Sequence, residues 1–401
     1  MRRRPFLAGL LPAALAMRQD AFAAAASAAS ADTSPAAPTP PLGVSHRMLR
    51  FPADHGSHPD THVEWWYITG WLRAGSGEAA DAGAGGATTQ TPDFGFQVTF
   101  FRTRTDLAED SASRFAARQL VFAHVALTDL AGRARGGGLM HDQRVAREGW
   151  GLARTPAASG VQAVQLRDWL LERAAPSGPG DARSRLRVAV RSEHFSLALE
   201  LAGTQPVLLQ GEAGYSQKGP DPREASHYYS EPQLAVRGRV ERTGAPARDV
   251  HGRAWLDHEW SDQYLGSEAV GWDWVGFNLV DGAALMAFRL RRADGSVLWA
   301  GGSYRSPAGE RRNFAAGEVR FDPQRRWTSP RTQAVYPVAW LLSTPSGRWR
   351  VAALQDDQEL DSRNSTGAVY WEGLSALTTE DGHTVGWGYL ELTGYAGRLR
   401  L

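Results

Sequence analysis

From residue 48 to the C-terminus, apolar and polar positions alternate with a period of two over short runs. The clearest are Phe94–Arg102 (FGFQVTFFR), Gln119–Leu127 (QLVFAHVAL), Leu186–Arg191 (LRVAVR), Ala284–Leu290 (ALMAFRL), Arg348–Leu354 (RWRVAAL) and Gly388–Thr393 (GYLELT). Each is rich in β-branched or aromatic residues, and Asp281-Gly282, Asp294-Gly295 and Asp381-Gly382 supply hairpin turn signals. Helical periodicity is scarce, with Ser113–Gln119 the one segment expected to form a short helix. The pattern predicts an all-β chain of sandwiches or barrels.

One run departs from the half-polar rule. In His62–Leu72 (HVEWWYITGWL), Glu64 shares a strand face with Trp66, Ile68, Gly70 and Leu72, while Val63, Trp65, Tyr67, Thr69 and Trp71 take the other. Both faces are aromatic, so neither looks solvated. The aromatic strand, a hairpin and a second strand ending in Arg102 recur as Trp272–Leu279, a hairpin and a strand ending in Arg289, a hint of two similar β-domains. Residues 75–92 read as a low-complexity hairpin insertion. The segment Gly211–Pro232 lacks regular alternation and is expected to be an ordered loop over a pocket. A domain boundary is expected near 244–250, giving domains 44–245 and 246–401.

Composition narrows the chemistry. The formal net charge is +1, which points to neither nucleic acid nor a strongly charged membrane as partner. Lys218 is the only lysine, and the 15 Trp demand a core, a stacking site or an apolar ligand site. With no cysteine there is no lipid attachment, disulfide or thiol chemistry. Arg2, Arg3 and Arg4, the apolar stretch Phe6–Ala16 and Ala21-Phe22-Ala23 read as an export signal over 1–23, and Arg3-Arg4 also fits a twin-arginine pattern. An Ala/Ser/Pro tether, 24–43, follows. Beyond it no stretch is long and apolar enough to span a bilayer as a helix. The mature chain is expected outside the cytoplasm.

The usual hydrolase and phosphate-binding signatures are absent: no G-x-S-x-G, no H-E-x-x-H, no phosphate-binding Gly loop. Three acid and histidine clusters remain. Asp54–His62 holds His55, His58 and His62, but Gly56 and Pro59 forbid one helical face, so no metal is expected. In Trp255–Asp262, His258 and Trp260 share one face and Asp257 and Glu259 the other. In Gly271–Trp274, Asp273 falls on an apolar face, as Glu64 does. A carboxylate desolvated among rings can stay protonated and serve as an acid; a buried carboxylate satisfied by an indole N–H or an Arg is the structural alternative. His124 reads as a satisfied core histidine.

The stretches PADHGSHPDTHVEWWYITGWL, FGFQVTFFR, FAHVALTD, GRAWLDHEWSD, GWDWVGFNL, YWEG and GYLELTGY resemble the AttH family, described as predicted secreted hydrolases and related to the carotenoid 1,2-hydratases. The resemblance runs from about His46 onward. It implies two tandem lipocalin-like β-barrels and, in the hydratase relatives, acid-catalysed addition of water to a terminal double bond through a His-x-Trp pair and a later Asp. His258-x-Trp260 and Asp273 match in type and order. The expected protein binds an extended apolar molecule, with Asp273, Glu64 and His258 as acid machinery and Trp66, Trp260, Trp272, Trp274, Tyr228 and Tyr229 lining the ligand. No cofactor is expected. The alternative is a non-catalytic periplasmic carrier serving an ABC-type export system.

Overall fold

The computed structural model describes residues 43–75, 89–105, 111–132, 138–155, 162–175 and 183–399. The expected export signal, nearly all of the tether and most of the 75–92 insertion lie outside the described residues. The first thirteen strands are β1 (Val63–Ala74), β2 (Phe94–Arg104), β3 (Gln119–Asp129), β4 (Leu139–Arg147), β5 (Ala153–Arg154), β6 (Gln162–Leu166) and β7 (Trp169–Arg173). They continue through β8 (Arg185–Arg191), β9 (Phe195–Ala202), β10 (Leu208–Leu209), β11 (Tyr215–Gln217), β12 (Ala225–Arg242) and β13 (Arg248–Ser261). The remaining ten are β14 (Gly271–Leu279), β15 (Ala284–Arg291), β16 (Val297–Arg305), β17 (Arg311–Phe314) and β18 (Arg320–Thr328), followed by β19 (Val335–Thr344), β20 (Gly347–Ala353), β21 (Glu359–Ser362), β22 (Ala368–Thr378) and β23 (Thr384–Leu392).

The protein is all-β, and every run predicted as a strand is one. The first sheet runs β4-β3-β2-β1-β13-β12-β9-β8-β7-β6-β5, with β10 and β11 against β12. The second runs β17-β16-β15-β14-β23-β22-β20-β19-β18, with β21 against β22. Named pairings are antiparallel, and the three Asp-Gly pairs make hairpin turns, with Gly282, Gly295 and Gly382 all at φ of 83–94°. The turn at 243–247 joins β12 to β13 within one sheet, and the change of sheet comes between Ser261 and Gly271.

Two expectations differ. Ser113–Arg118 forms no helix, because Ser113 Oγ accepts from Phe115 N (3.1 Å) in a tight turn and Gln119 already pairs with Arg104 in the β2–β3 ladder. Half of Gly211–Pro232 is strand: β11 pairs β12, whose first residues pair β13. Its alternation was masked because both faces are buried, Tyr228 outward against the second sheet and Tyr229 inward in the first core.

Parity along each strand decides which side chains reach which space. In β1 the even residues Trp66, Ile68 and Leu72 fill the first-sheet core with Phe96, Val98, Leu256 and Trp260. The odd residues Trp65, Tyr67 and Trp71 instead join Tyr228, Trp255, Trp272, Trp274, Leu374 and Tyr389 in a cluster between the sheets. That is why β1 has no polar face. A bulge in β12 between Glu231 and Leu234 shifts its parity, and Gln233 there (φ 58°) donates to Leu279 O (2.9 Å) and Ala283 O (2.8 Å), tying one sheet to the other.

Candidate active site

Glu64 is fully buried and surrounded by donors. It faces Arg102 across the β1–β2 ladder and accepts from Arg102 Nε (2.9 Å), His58 N (2.9 Å), His58 Nδ1 (2.8 Å) and His258 Nε2 (2.9 Å). Burial pushes its pKa up, but hydrogen bonds and charge from His258 and His58 outweigh burial and hold it well below the usual carboxylate range. The expected protonated acid is therefore an ionised, saturated carboxylate. Periodicity located a buried Glu; the hydrogen bonds from His258 and His58 reversed its protonation.

His58 bridges this carboxylate to Asp54 (Nε2 to Oδ1, 3.1 Å) and stacks on Trp260, 3.7 Å between ring centroids and 5° between planes. Burial lowers its pKa, but the two carboxylates raise it further, so the net shift is upward. Burial instead holds His258 down at about 4, despite its bond to Glu64. A neutral His258 donating to Glu64 through Nε2 accepts at Nδ1 from Tyr229 O–H (3.1 Å), while His55 Nδ1 lies 2.8 Å from the same hydroxyl. Among the described residues, His58, Glu64 and His258 are the group able to converge on a metal. Their ligand atoms stand at hydrogen-bond spacing of 2.8–2.9 Å, shorter than the about 3.3 Å edge of a tetrahedral zinc site with bonds near 2.0–2.1 Å. Arg102 already supplies the cation. The geometry fits a hydrogen-bonded network better than a metal centre.

Asp273 is likewise fully buried and held by Arg289 Nε (2.6 Å), Arg291 Nε (3.2 Å) and Tyr395 O–H (2.8 Å). Asp273 and His258, both expected in the acid machinery, do not meet: pairing of β13 with β14 would bring them together, whereas β13 lies between β1 and β12 and β14 between β15 and β23. His258 packs with Trp66, Trp260 and Tyr229 inside the first sheet, and Asp273 lies on the core-facing side of the second. Trp66, Trp260 and Tyr229 thus belong to the first-sheet core, where Trp66 lines a small pocket, and do not reach the cavity between the sheets.

A cavity of about 250 Å³ lies between the sheets. Of the expected ligand-contacting residues, Trp272, Trp274 and Tyr228 line it, joined by Trp65, Tyr67, Phe101, Phe122 and Tyr264. Glu64 and Arg102 reach its wall but are spent on each other. The acids that face it otherwise are Asp257, Glu259 and Glu391. Asp257 accepts from Tyr228 O–H (2.7 Å), Trp255 Nε1 (2.6 Å) and Ser230 Oγ (2.5 Å), with Trp274 Nε1 donating to Tyr228 OH (3.2 Å). Among the described residues no cation forms an ion pair with it, Lys218 being bonded to Glu259 instead. Burial pushes its pKa up to about 7 against those three donors, and the Glu259 charge adds to the rise.

Glu259 is paired with Lys218 Nζ (2.8 Å), itself buried over the rings of Phe288 and Tyr228. Glu391 stands opposite Glu372 across the β22–β23 ladder, and burial raises both, with the charge of Glu391 adding to the rise of Glu372. At another part of the wall His124 binds Tyr370 OH (2.9 Å) and Ser365 Oγ (2.8 Å), satisfied as expected. Asp257, Glu259, Lys218, Glu372 and Glu391 were not predicted as site residues. The signal was the same one that singled out Glu64, a carboxylate alternating with aromatics, on the face of Trp255–Asp262 opposite His258 and in YWEG and GYLELTGY.

Two barrel-like sheets in tandem with an aromatic, acid-bearing cavity between them define a lipocalin-like all-β protein. The chain belongs to the AttH-like family, whose model matches residues 43–395. It is similar to a solved protein of Nitrosomonas europaea described as an AttH, with 45% identity and a TM-score of 0.75 over 88% of this chain and 98% of that one. Kievitone hydratase from Nectria haematococca shares the fold, with 13% identity and a TM-score of 0.56 over 87% of this chain and 94% of that one. No curated protein matches the sequence.

Proposed function

We propose that the chain binds an apolar, alkene-bearing molecule in the cavity between its sheets and protonates it, leading to hydration or isomerisation. The observation that carries this is Asp257: a carboxyl with no cation partner, poised near neutral pH by burial, on the wall of an aromatic cavity. A protonated Asp257 donates its proton to one alkene carbon, leaving a carbocation on the other. The faces of Trp65, Trp272 and Trp274 stabilise that charge. In hydration, water adds to the cationic carbon and returns its proton to the Asp257 carboxylate; in isomerisation, loss of a neighbouring C–H proton does so. Tyr228, between Asp257 and Trp274, holds the acid in place. The Glu64 network braces β1 against β13 beneath this wall. Ser365 Oγ lies 2.8 Å from His124 Nε2 on the cavity wall, but burial holds that imidazole down at about 3, too weak a base to activate the hydroxyl for hydrolysis. The fold shared with kievitone hydratase is compatible with this chemistry and sets no substrate.

Incubation with a panel of small terminal alkenes in D2O tests it, because hydration and isomerisation both place deuterium on carbon. Deuterated product from the native protein and none from Asp257→Asn is expected. Ligands that bind but emerge without deuterium would sink the catalytic reading and leave the carrier, alone or with an ABC-type export system. We also read the protein as exported, on Arg2–Arg4, Phe6–Ala16 and Ala21-Phe22-Ala23; N-terminal sequencing of extracytoplasmic protein that found Met1 would contradict this.

A further inference from the structure

Resting on the reading of the cavity as a ligand site, we propose that its occupant carries a protonated amine. The site fits a hydrophobic alkyl- or arylalkylammonium ion, with the Glu372–Glu391 pair as counter-ion. Size sets the scale. A cavity of about 150 Å³ accepts benzene, so about 250 Å³ suits a skeleton of about ten carbon atoms.

Charge sets the sign. Asp257, Glu259 and Glu391 line the cavity, and Glu372 stands opposite Glu391 on the same inter-sheet face. The cations at hand are committed elsewhere: Lys218 to Glu259, and Arg102 to Glu64, Gln119 and the carbonyls of His58 and Thr61. His124, the remaining basic group on the wall, is kept neutral by burial. Two carboxyls, Glu372 buried and Glu391 half-buried, therefore face each other with no positive partner among the described residues, an arrangement that an incoming cation stabilises and an incoming anion does not.

The unsatisfied polar atoms point the same way. Gln97 is 2% exposed and its Oε1 has no hydrogen-bond partner; Glu372 is 3% exposed, and its neighbour is the Tyr67 hydroxyl on the cavity wall, in poor hydrogen-bond geometry. Gln97 Oε1 only accepts, and a bound cation favours the ionised, accepting form of the carboxyl pair, so the complementary group is a donor, and an ammonium N–H⁺ is a donor only. The rings meet the same demand. Trp65, Tyr264 and Trp272 pack edge-to-face at 4.6 and 5.5 Å, and Tyr67 and Trp274 at 5.3 Å, and all five line the cavity, where aromatic rings attract a cation. A bare metal ion is disfavoured, because among the described residues Asp257, Glu259, Glu372 and Glu391 do not converge as a ligand set.

The test compares octylammonium with 1-octanol, matched in length, by calorimetry and tryptophan fluorescence at neutral pH. Octylammonium is expected to bind roughly tenfold more tightly or better. Glu391→Gln should erase that preference while leaving octanol affinity unchanged, and Glu372→Gln provides the same reading should the first variant not fold. Thr99→Trp, which fills the cavity, should abolish binding of both. Equal affinity for the two probes, a preference that survives both Gln variants, or binding that persists in Thr99→Trp would overturn the ammonium inference. Octanol binding that is lost in Thr99→Trp supports the cavity reading whatever the amine does, and failure of both probes to bind overturns that reading itself.

Discussion

Buried acids occupy two kinds of place in this protein, and their partners separate them. Glu64 and Asp273 project into the two sheets' own cores, each opposite an arginine in the neighbouring strand: Glu64 faces Arg102 and Asp273 faces Arg289. Asp257, Glu372 and Glu391 project the other way, into the space between sheets, where no arginine faces them. The strands are equally aromatic in both cases. The core acids are each hydrogen-bonded to an arginine, and Glu64 is further held ionised by His258 and His58, whereas burial pushes Asp257, Glu372 and Glu391 toward their protonated forms. The core acids thus brace the two sheets, and the inter-sheet acids are the ones on which the proposed chemistry rests.

The comparison breaks first on stability. Glu64→Gln strands Arg102, and Asp273→Asn strands Arg289 and Arg291, so each should cost about 3–5 kcal/mol of unfolding free energy in urea titrations. A cost below about 1 kcal/mol for both would mean that these pairs do not carry the folding role assigned to them. Asp257→Asn should behave oppositely, leaving the fold intact at neutral pH and lowering turnover by about 10²–10⁴-fold on whichever alkene is converted. Retained activity would move the acid to Glu391.

Next is pH. Asp257 titrates near 7 in the folded protein against about 3.9 unfolded, so the folded state holds the extra proton between those values. Its contribution is neutral below about pH 4, and stability is lost as pH rises toward 7, by on the order of 4 kcal/mol in full. Asp257→Asn should flatten that slope in denaturation curves from pH 4 to 8. Glu64 gives the reverse. Its depressed pKa contributes stability that is present above about pH 4.3 and is lost as pH falls below it. The smallest effect is Trp274→Phe, which removes the 3.2 Å bond to Tyr228 and should cost about 1 kcal/mol or a few-fold in rate.

Alternation and Asp-Gly signals determined the all-β class and the hairpins, because strand period and turn chemistry are local. They also picked out Glu64 and Asp273 as buried acids, and the recurring strand-to-Arg pattern is met in the Glu64–Arg102 and Asp273–Arg289 pairs. Tertiary structure alone decided what those acids do. Protonation depends on which side chain stands across the ladder and on which of two buried faces meets a cation, and register sets both. The same holds for the site: His258 and Asp257 are neighbours in sequence, but a strand sends one into a core and the other into the cavity. Only the packing of the second sheet against β1 and β13 made that outer face a cavity wall.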